Sequence, residues 1–129
     1  MFFTIDPSSN LAIYEQIVRQ IVFAIAAGKL HTGDMVPSVR ELARELAINP
    51  NTDARAYRQL LDDGILRSVR GTGMAVADSA RRRCQTERLK MVRERIRQVF
   101  LEAQQSCLEP DQLRTLVESV LAAIQRKEQ

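Results

Sequence analysis

At 129 residues the chain has room for one ordinary domain, or for one small domain with an appendage. Its composition, 45% hydrophobic and 27% charged, is that of a folded soluble protein, and no apolar run reaches the roughly 18–20 residues a membrane span needs. Two isolated cysteines, Cys84 and Cys107, make neither a metal framework nor a disulfide-stapled exported domain, and a net charge of +3 says little until its distribution is followed.

Residues 1–10 read as an extended lead-in, with Phe2, Phe3 and Ile5 covering a core edge. They lack the positive n-region and long apolar core of a signal peptide, so a cytoplasmic address is expected. Asn10 is placed to cap a first helix. Along it Leu11, Tyr14, Ile17 or Val18, Ile21 and Ile25 recur at helical spacing until Gly28. Such a stripe is core rather than a cofactor site, and it would brace the helices that follow.

Residues 36–76 are the most informative segment. Pro37-Ser38-Val39-Arg40-Glu41 opens a second helix, with Ser38 as cap and Glu41 three residues on to complete a capping box. Val39, Leu42, Ala43 and Leu46 share its apolar face. Ile48-Asn49-Pro50 breaks the pattern. Asn51 then suits the cap of a third helix that turns Ala54, Tyr57, Leu60 and Leu61 inward. Its opposite face shows Asn51, Thr52, Arg55, Arg58, Gln59 and Asp62, a donor-rich surface suited to base edges and phosphates in a DNA major groove.

After Gly64, Ile65-Leu66-Arg67-Ser68-Val69 reads as a strand, Arg70-Gly71-Thr72-Gly73 as its turn and Met74-Ala75-Val76-Ala77 as the return. A hairpin this small needs the helical platform to pack on. The paired glycines lack the strand-to-helix context and Lys-Ser partner of a nucleotide loop. From Ser79 onward no second globular domain is expected. Leu89, Val92, Ile96, Val99 or Phe100 and Ala103 mark one amphipathic helix. Pro110 opens another that carries Leu113, Leu116 or Val117, Val120, Leu121 and Ile124. Two such helices cannot cover both stripes between themselves, so pairing with a second copy is the economical reading. The expected division is residues 1–78 for DNA binding and 79–129 for helical dimerisation.

Charge is concentrated in one place. Between Ser79 and Phe100 stand Arg81, Arg82, Arg83, Arg88, Lys90, Arg93, Arg95 and Arg97 against Glu87 and Glu94. Two readings stay open for this block: contact with the phosphate backbone, or a solvated helix face.

Taken together, these residues resemble the bacterial GntR family of transcription regulators over roughly residues 10–77. The resemblance runs through Tyr14-Glu15-Gln16-Ile17, Gly28-Lys29-Leu30, Gly33-Asp34 and Pro37 to Ala43. It continues through Asn49-Pro50-Asn51-Thr52, Arg55 to Leu60, Asp63-Gly64-Ile65-Leu66 and Gly71-Thr72-Gly73. It implies a winged helix-turn-helix, mainly α with a small β-hairpin wing, followed here by a helical hairpin. The short carboxy-terminal part is similar to that of the YtrA-type branch, whose terminal helices serve dimerisation. Departures from the pattern are His31-Thr32 where a proline is common, Ala75 where an aromatic often stands, and Asp53 where an apolar residue is usual. A carboxylate at position 53, if near the groove, would repel phosphate and alter operator preference.

The resemblance and the helix faces together give the expected DNA contacts: Ser38, Arg40, Arg44, Asn51, Thr52, Arg55, Arg58, Gln59, Arg70, Gly71 and Thr72. Asn51 and Arg55 are expected to meet bases, Arg40 to meet the backbone, and Arg58 and Gln59 to touch backbone farther along. The expected dimer residues are Leu89, Val92, Ile96, Val99, Phe100, Leu113, Leu116, Val117, Val120, Leu121 and Ile124. No catalysis is expected, because His31 is the only histidine and Asp62-Asp63, adjacent on a helix, point about 100° apart. No cofactor or metal is expected either. About 50 residues after the wing are too few to enclose a usual metabolite pocket. The chain thus reads as a homodimeric regulator, most simply a repressor on a two-fold symmetric operator in double-stranded DNA. The alternatives are a non-specific architectural DNA binder and a winged-helix module that docks proteins.

Overall fold

Helix α1 (Ile13–Ala26) buries Ile17, Val18, Ile21, Val22 and Ile25 on the face its spacing predicts. The computed structural model describes residues 4–9, 11–71 and 73–128. Asn10, the expected cap, lies outside them, as do Phe2 and Phe3; the residue before the helix is Ala12, which makes no side-chain cap bond. One polar residue joins this core for a definite reason. The buried Gln16 amide accepts from the backbone N–H of Asp6 at 2.9 Å and donates to the carbonyls of Asp6 (2.9 Å) and Leu11 (3.1 Å). Gln20 brackets Thr4 in the same way. Amide side chains, which both donate and accept, thereby fasten the lead-in to α1.

Helix α2 (Val39–Leu46) starts where its cap sequence says it should: Ser38 Oγ accepts from the Glu41 N–H at 3.1 Å. It ends at Ala47, whose left-handed φ of 54° lets Ile48 N–H reach back to the Ala43 carbonyl at 3.0 Å. Helix α3 (Pro50–Asp62) follows at once. Its cap is Asn49 rather than the expected Asn51: Asn49 Oδ1 accepts from Asn51 N–H at 2.9 Å, and Pro50 takes the first helical position, where its missing N–H costs nothing. The inward face of α3 also sits one residue away from the expectation. Asp53, Ala56, Tyr57 and Leu60 are buried, while Ala54 and Leu61 are only half-buried. Tyr57 spans the motif, its hydroxyl donating to the Pro37 carbonyl at 2.6 Å.

The sheet has three strands rather than two. Strands β2 (Leu66–Val69) and β3 (Gly73–Val76) form the expected antiparallel hairpin, with Leu66 opposite Val76 and Val69 opposite Gly73. The strand β1 (Met35–Val36) adds to the other side of β3, giving the order β1-β3-β2. Hydrogen bonds from Gly33 N–H to the Val76 carbonyl and from Val76 N–H to the Asp34 carbonyl, both 2.9 Å, extend that ladder. α3 packs on α1, on α2 and on β2, and the core of this part lies among them.

The chain divides into two compact units, 1–89 and 90–129, a boundary that falls within helix α4 (Ala80–Gln105). In the first unit Ala80 and Cys84 of α4 are fully buried. Burial, and secondarily Glu87, pushes the Cys84 thiol up to about 11, so it stays protonated and inert at neutral pH. In the second unit α4 closes at Gln105, Leu108 N–H returns to the Ala103 carbonyl at 3.1 Å, and helix α5 (Pro110–Glu128) starts at the predicted proline. Among the described residues, no helix is long and apolar enough to cross a membrane.

Candidate nucleic-acid interface

Because Asp53, Ala56, Tyr57 and Leu60 hold one side of α3 in the core, the other side must face solvent. Asn51, Arg55, Arg58, Gln59 and Asp62 are all exposed there, and Thr52 is half-buried at the edge. The amino-terminal end of α3 carries the positive pole of the helix dipole and the caps that shape it, which favours an anionic polymer at that end. On α2, Arg40 and Arg44 are exposed four residues apart on one face, and Ser38 is committed to its cap bond. The hairpin tip presents Arg70 and Gly71 to solvent, with φ of +80° at Gly71, a conformation that suits a residue without Cβ. Thr72 lies outside the described residues.

Among the described residues, Arg55 is a predicted contact arginine whose guanidinium is held by another helix. Its guanidinium carbon lies 3.8 Å from the centroid of the Tyr14 ring, and Nη2 donates to the Tyr14 hydroxyl at 3.2 Å. Spacing assigned Tyr14 to the core stripe. The structure leaves it half-buried, with its ring and phenol oxygen turned to α3. A tyrosine among aliphatic residues on such a stripe was the available signal, since its polar tip usually seeks a partner.

Asp53 corrects the concern about a carboxylate at the groove. It is fully buried, on the core side of α3, and cannot meet a phosphate. Both carboxyl oxygens lack a hydrogen-bond partner among the described residues. Burial pushes its carboxyl above the ordinary 3.8, and the backbone N–H groups of Asp53, Ala54 and Ala43 lower it only in part because none closes a well-formed bond.

The basic run after the wing is also placed. A Cβ built at Gly28 would lie 3.4 Å from Arg81 Nη2, and one at Gly64 would lie 3.8 Å from Arg83 Nη1. These guanidinium groups therefore sit at the carboxy-terminal ends of α1 and α3, where the dipole is negative and a cation is stabilising. The end of α3 that Arg83 meets is the one opposite to its amino-terminal end.

In the second unit, Val92, Ile96, Val99, Phe100, Leu116, Val120, Leu121 and Ile124 are exposed large apolar side chains, and Leu89 is exposed at the end of the first unit. Leu113 and Val117 are half-buried. The stripes predicted from spacing thus exist and remain open to solvent in the single chain.

Known proteins match this architecture. The model of bacterial regulatory proteins of the gntR family matches residues 13–76, the stretch from the first residue of α1 to the last of β3. The HTH-type transcriptional repressor YtrA of Bacillus subtilis is 33% identical over 120 residues, covering 93% of this chain and 92% of that protein. A GntR family transcriptional regulator from Listeria monocytogenes superposes with a TM-score of 0.67 at 31% identity, covering 89% of this chain and 98% of that one. The DNA-binding domain of AraR, solved in complex with operator ORX1, gives a TM-score of 0.50 at 30% identity over 57% of this chain and 92% of its own. The chain therefore belongs to the gntR family of bacterial regulatory proteins, as a transcription regulator with a winged helix-turn-helix and two helices beyond the wing.

Proposed function

We propose that this regulator acts in the cytoplasm as a homodimer on two-fold symmetric operator DNA and represses by occluding a promoter. The observation that carries this reading is the exposed polar face of α3, Asn51, Arg55, Arg58 and Gln59, on a helix whose other face is locked in the core. Phosphate contacts from Arg40, Arg44, Arg70 and the backbone at Gly71 supply most affinity, with Ser38 and Thr72 counted among the contacts on the family pattern; the Asn51–Arg55 end supplies base discrimination. Residues 1–78 carry the DNA contacts, and the apolar stripes within 79–129 hold the dimer. Support comes from the operator complex of the AraR domain and the repressor name of the Bacillus relative.

Selection of bound sequences from a random duplex pool tests it. A recovered palindrome is the expected result; enrichment without a preferred sequence would make the chain an architectural binder, and absence of DNA binding would make it a protein-docking module. Single substitutions then separate the roles. Arg55→Ala costs roughly 1–3 kcal/mol and relaxes preference at one position per half-site, whereas Arg40→Ala weakens most sequences alike. A panel of single-base operator variants measured against each protein decides, and a uniform loss for Arg55→Ala reverses the assignment.

The arginines at the helix ends give a different expectation. Changing Arg81 and Arg83 to glutamine should lower stability by about 0.3–1 kcal/mol each. It should leave the salt dependence of DNA binding unchanged, although each lost phosphate contact would flatten the slope by about 0.9. Thermal unfolding and DNA titrations at several salt concentrations measure both. A flattened slope with unaltered stability would return this segment to the duplex.

A further inference from the structure

Most surface arginines are free to sample many rotamers, but Arg55 is fixed by a residue from another helix. We propose that Tyr14 is a positioning residue of the DNA-reading surface: its ring and hydroxyl hold the Arg55 guanidinium in the orientation from which it meets a base edge. The inference rests on the reading of Arg55 as a base contact and extends it to α1, which carries no predicted contact of its own.

Three observations support it. The guanidinium carbon lies over the Tyr14 ring, 3.8 Å from its centroid, so the cation rests on the electron-rich π-face. Among the described residues one N–H donor is committed, to Tyr14 Oη at 3.2 Å; a guanidinium has five, and a bidentate guanine contact needs two. The support is also rigid. Tyr14 lies in the first turn of α1, α1 and α3 pack on each other, and Ile17 and Ile21 of the one and Ala56 and Leu60 of the other are buried, so the ring and the root of Arg55 keep a constant separation. An arginine ordered before it meets DNA loses less rotamer freedom on binding than one that must be captured from solvent. Phenylalanine would keep the stack without the hydrogen bond. An aliphatic residue would keep the apolar stripe and lose both.

The test presents wild type, Tyr14→Leu, Tyr14→Phe, Arg55→Ala and the Tyr14→Leu/Arg55→Ala double variant to one randomised duplex pool, sequences the bound fractions, and then titrates the winning duplex. Circular dichroism and thermal unfolding of each variant confirm that the platform is folded. The expected result is that Tyr14→Leu loses base preference at the same half-site position as Arg55→Ala, with affinity about 2- to 5-fold weaker, against about 5- to 150-fold for Arg55→Ala. Tyr14→Phe should retain that preference and most of the affinity, and the double variant should be no weaker than Arg55→Ala alone. Equal losses at every position, the same loss in the Arg55→Ala background, or tighter binding by Tyr14→Leu would overturn the proposal while leaving Arg55 as a base contact. If Arg55→Ala itself keeps full preference at every position, the reading of Arg55 fails first and the role of Tyr14 falls with it.

Discussion

Replacing Asp53 with leucine is expected to raise the unfolding free energy at neutral pH by about 1–3 kcal/mol, the cost of a buried polar group left without partners. The side chain is fully buried among Ala56, Tyr57 and Leu60 on the inward face of α3, and neither oxygen is hydrogen-bonded among the described residues. Burial raises its pKa above 3.8, so the folded state holds the proton more tightly than the unfolded chain does. Well below pH 3.8 the carboxyl is neutral in both states. As pH rises from there the unfolded chain ionises first, and stability falls until the raised folded pKa has been passed. The advantage of leucine should grow over that same interval and then level off. Urea unfolding of both proteins near pH 4 and at pH 7 measures it; an equal gain at the two values would show that ionisation is not the source. Base preference should not change, because this side chain faces the core and not the duplex.

The same residue shows where the sequence was readable and where it was not. Caps and breakers are local chemistry, so Ser38, the Asn49-Pro50 pair and Pro110 announced three helix starts within a residue or two. On α3, however, periodicity was led astray by residue type. A stripe of apolar residues selects Ala54 and Leu61, while the actual core face needs the position of Asp53, which no hydropathy count would choose. β1 escaped because two residues cannot display an alternation, and its pairing with Ala75 and Met74 is non-local. The exposed face of α3 was legible because a helix with one buried face must show the other. The hold on Arg55 was not, because Tyr14 is 41 residues away along the chain. The same limit hid the ends to which Arg81 and Arg83 reach: charge counts show a basic block, but only the fold shows that part of it serves helix termini.

The largest effect on DNA binding is expected from α5. Changing Leu116 and Val120 together to glutamate should give a monomer, and with it a loss of operator affinity of about 100- to 10,000-fold. The two side chains are 50% and 49% exposed in the single chain, and they sit four residues apart on one helical face. An exposed row of Leu and Val, continued by Leu121 and Ile124, is costly to leave in water and is the part of the second unit that a partner copy would cover. Glutamate is a good helix former, so α5 itself should persist; what is lost is the ability to bury this face without stranding two charges. Affinity falls because the second half-site is then no longer presented at the high effective concentration that a linked partner provides. The remaining monomer should still read one half-site, with the base preferences of the wild type and about half its salt slope. Sedimentation velocity gives the oligomeric state, and titrations on full and half operators give the affinities. Were the glutamate variant to sediment as a dimer, α5 would not hold the protomers together. A monomer that bound the full operator as tightly as wild type would break the link between dimerisation and operator affinity.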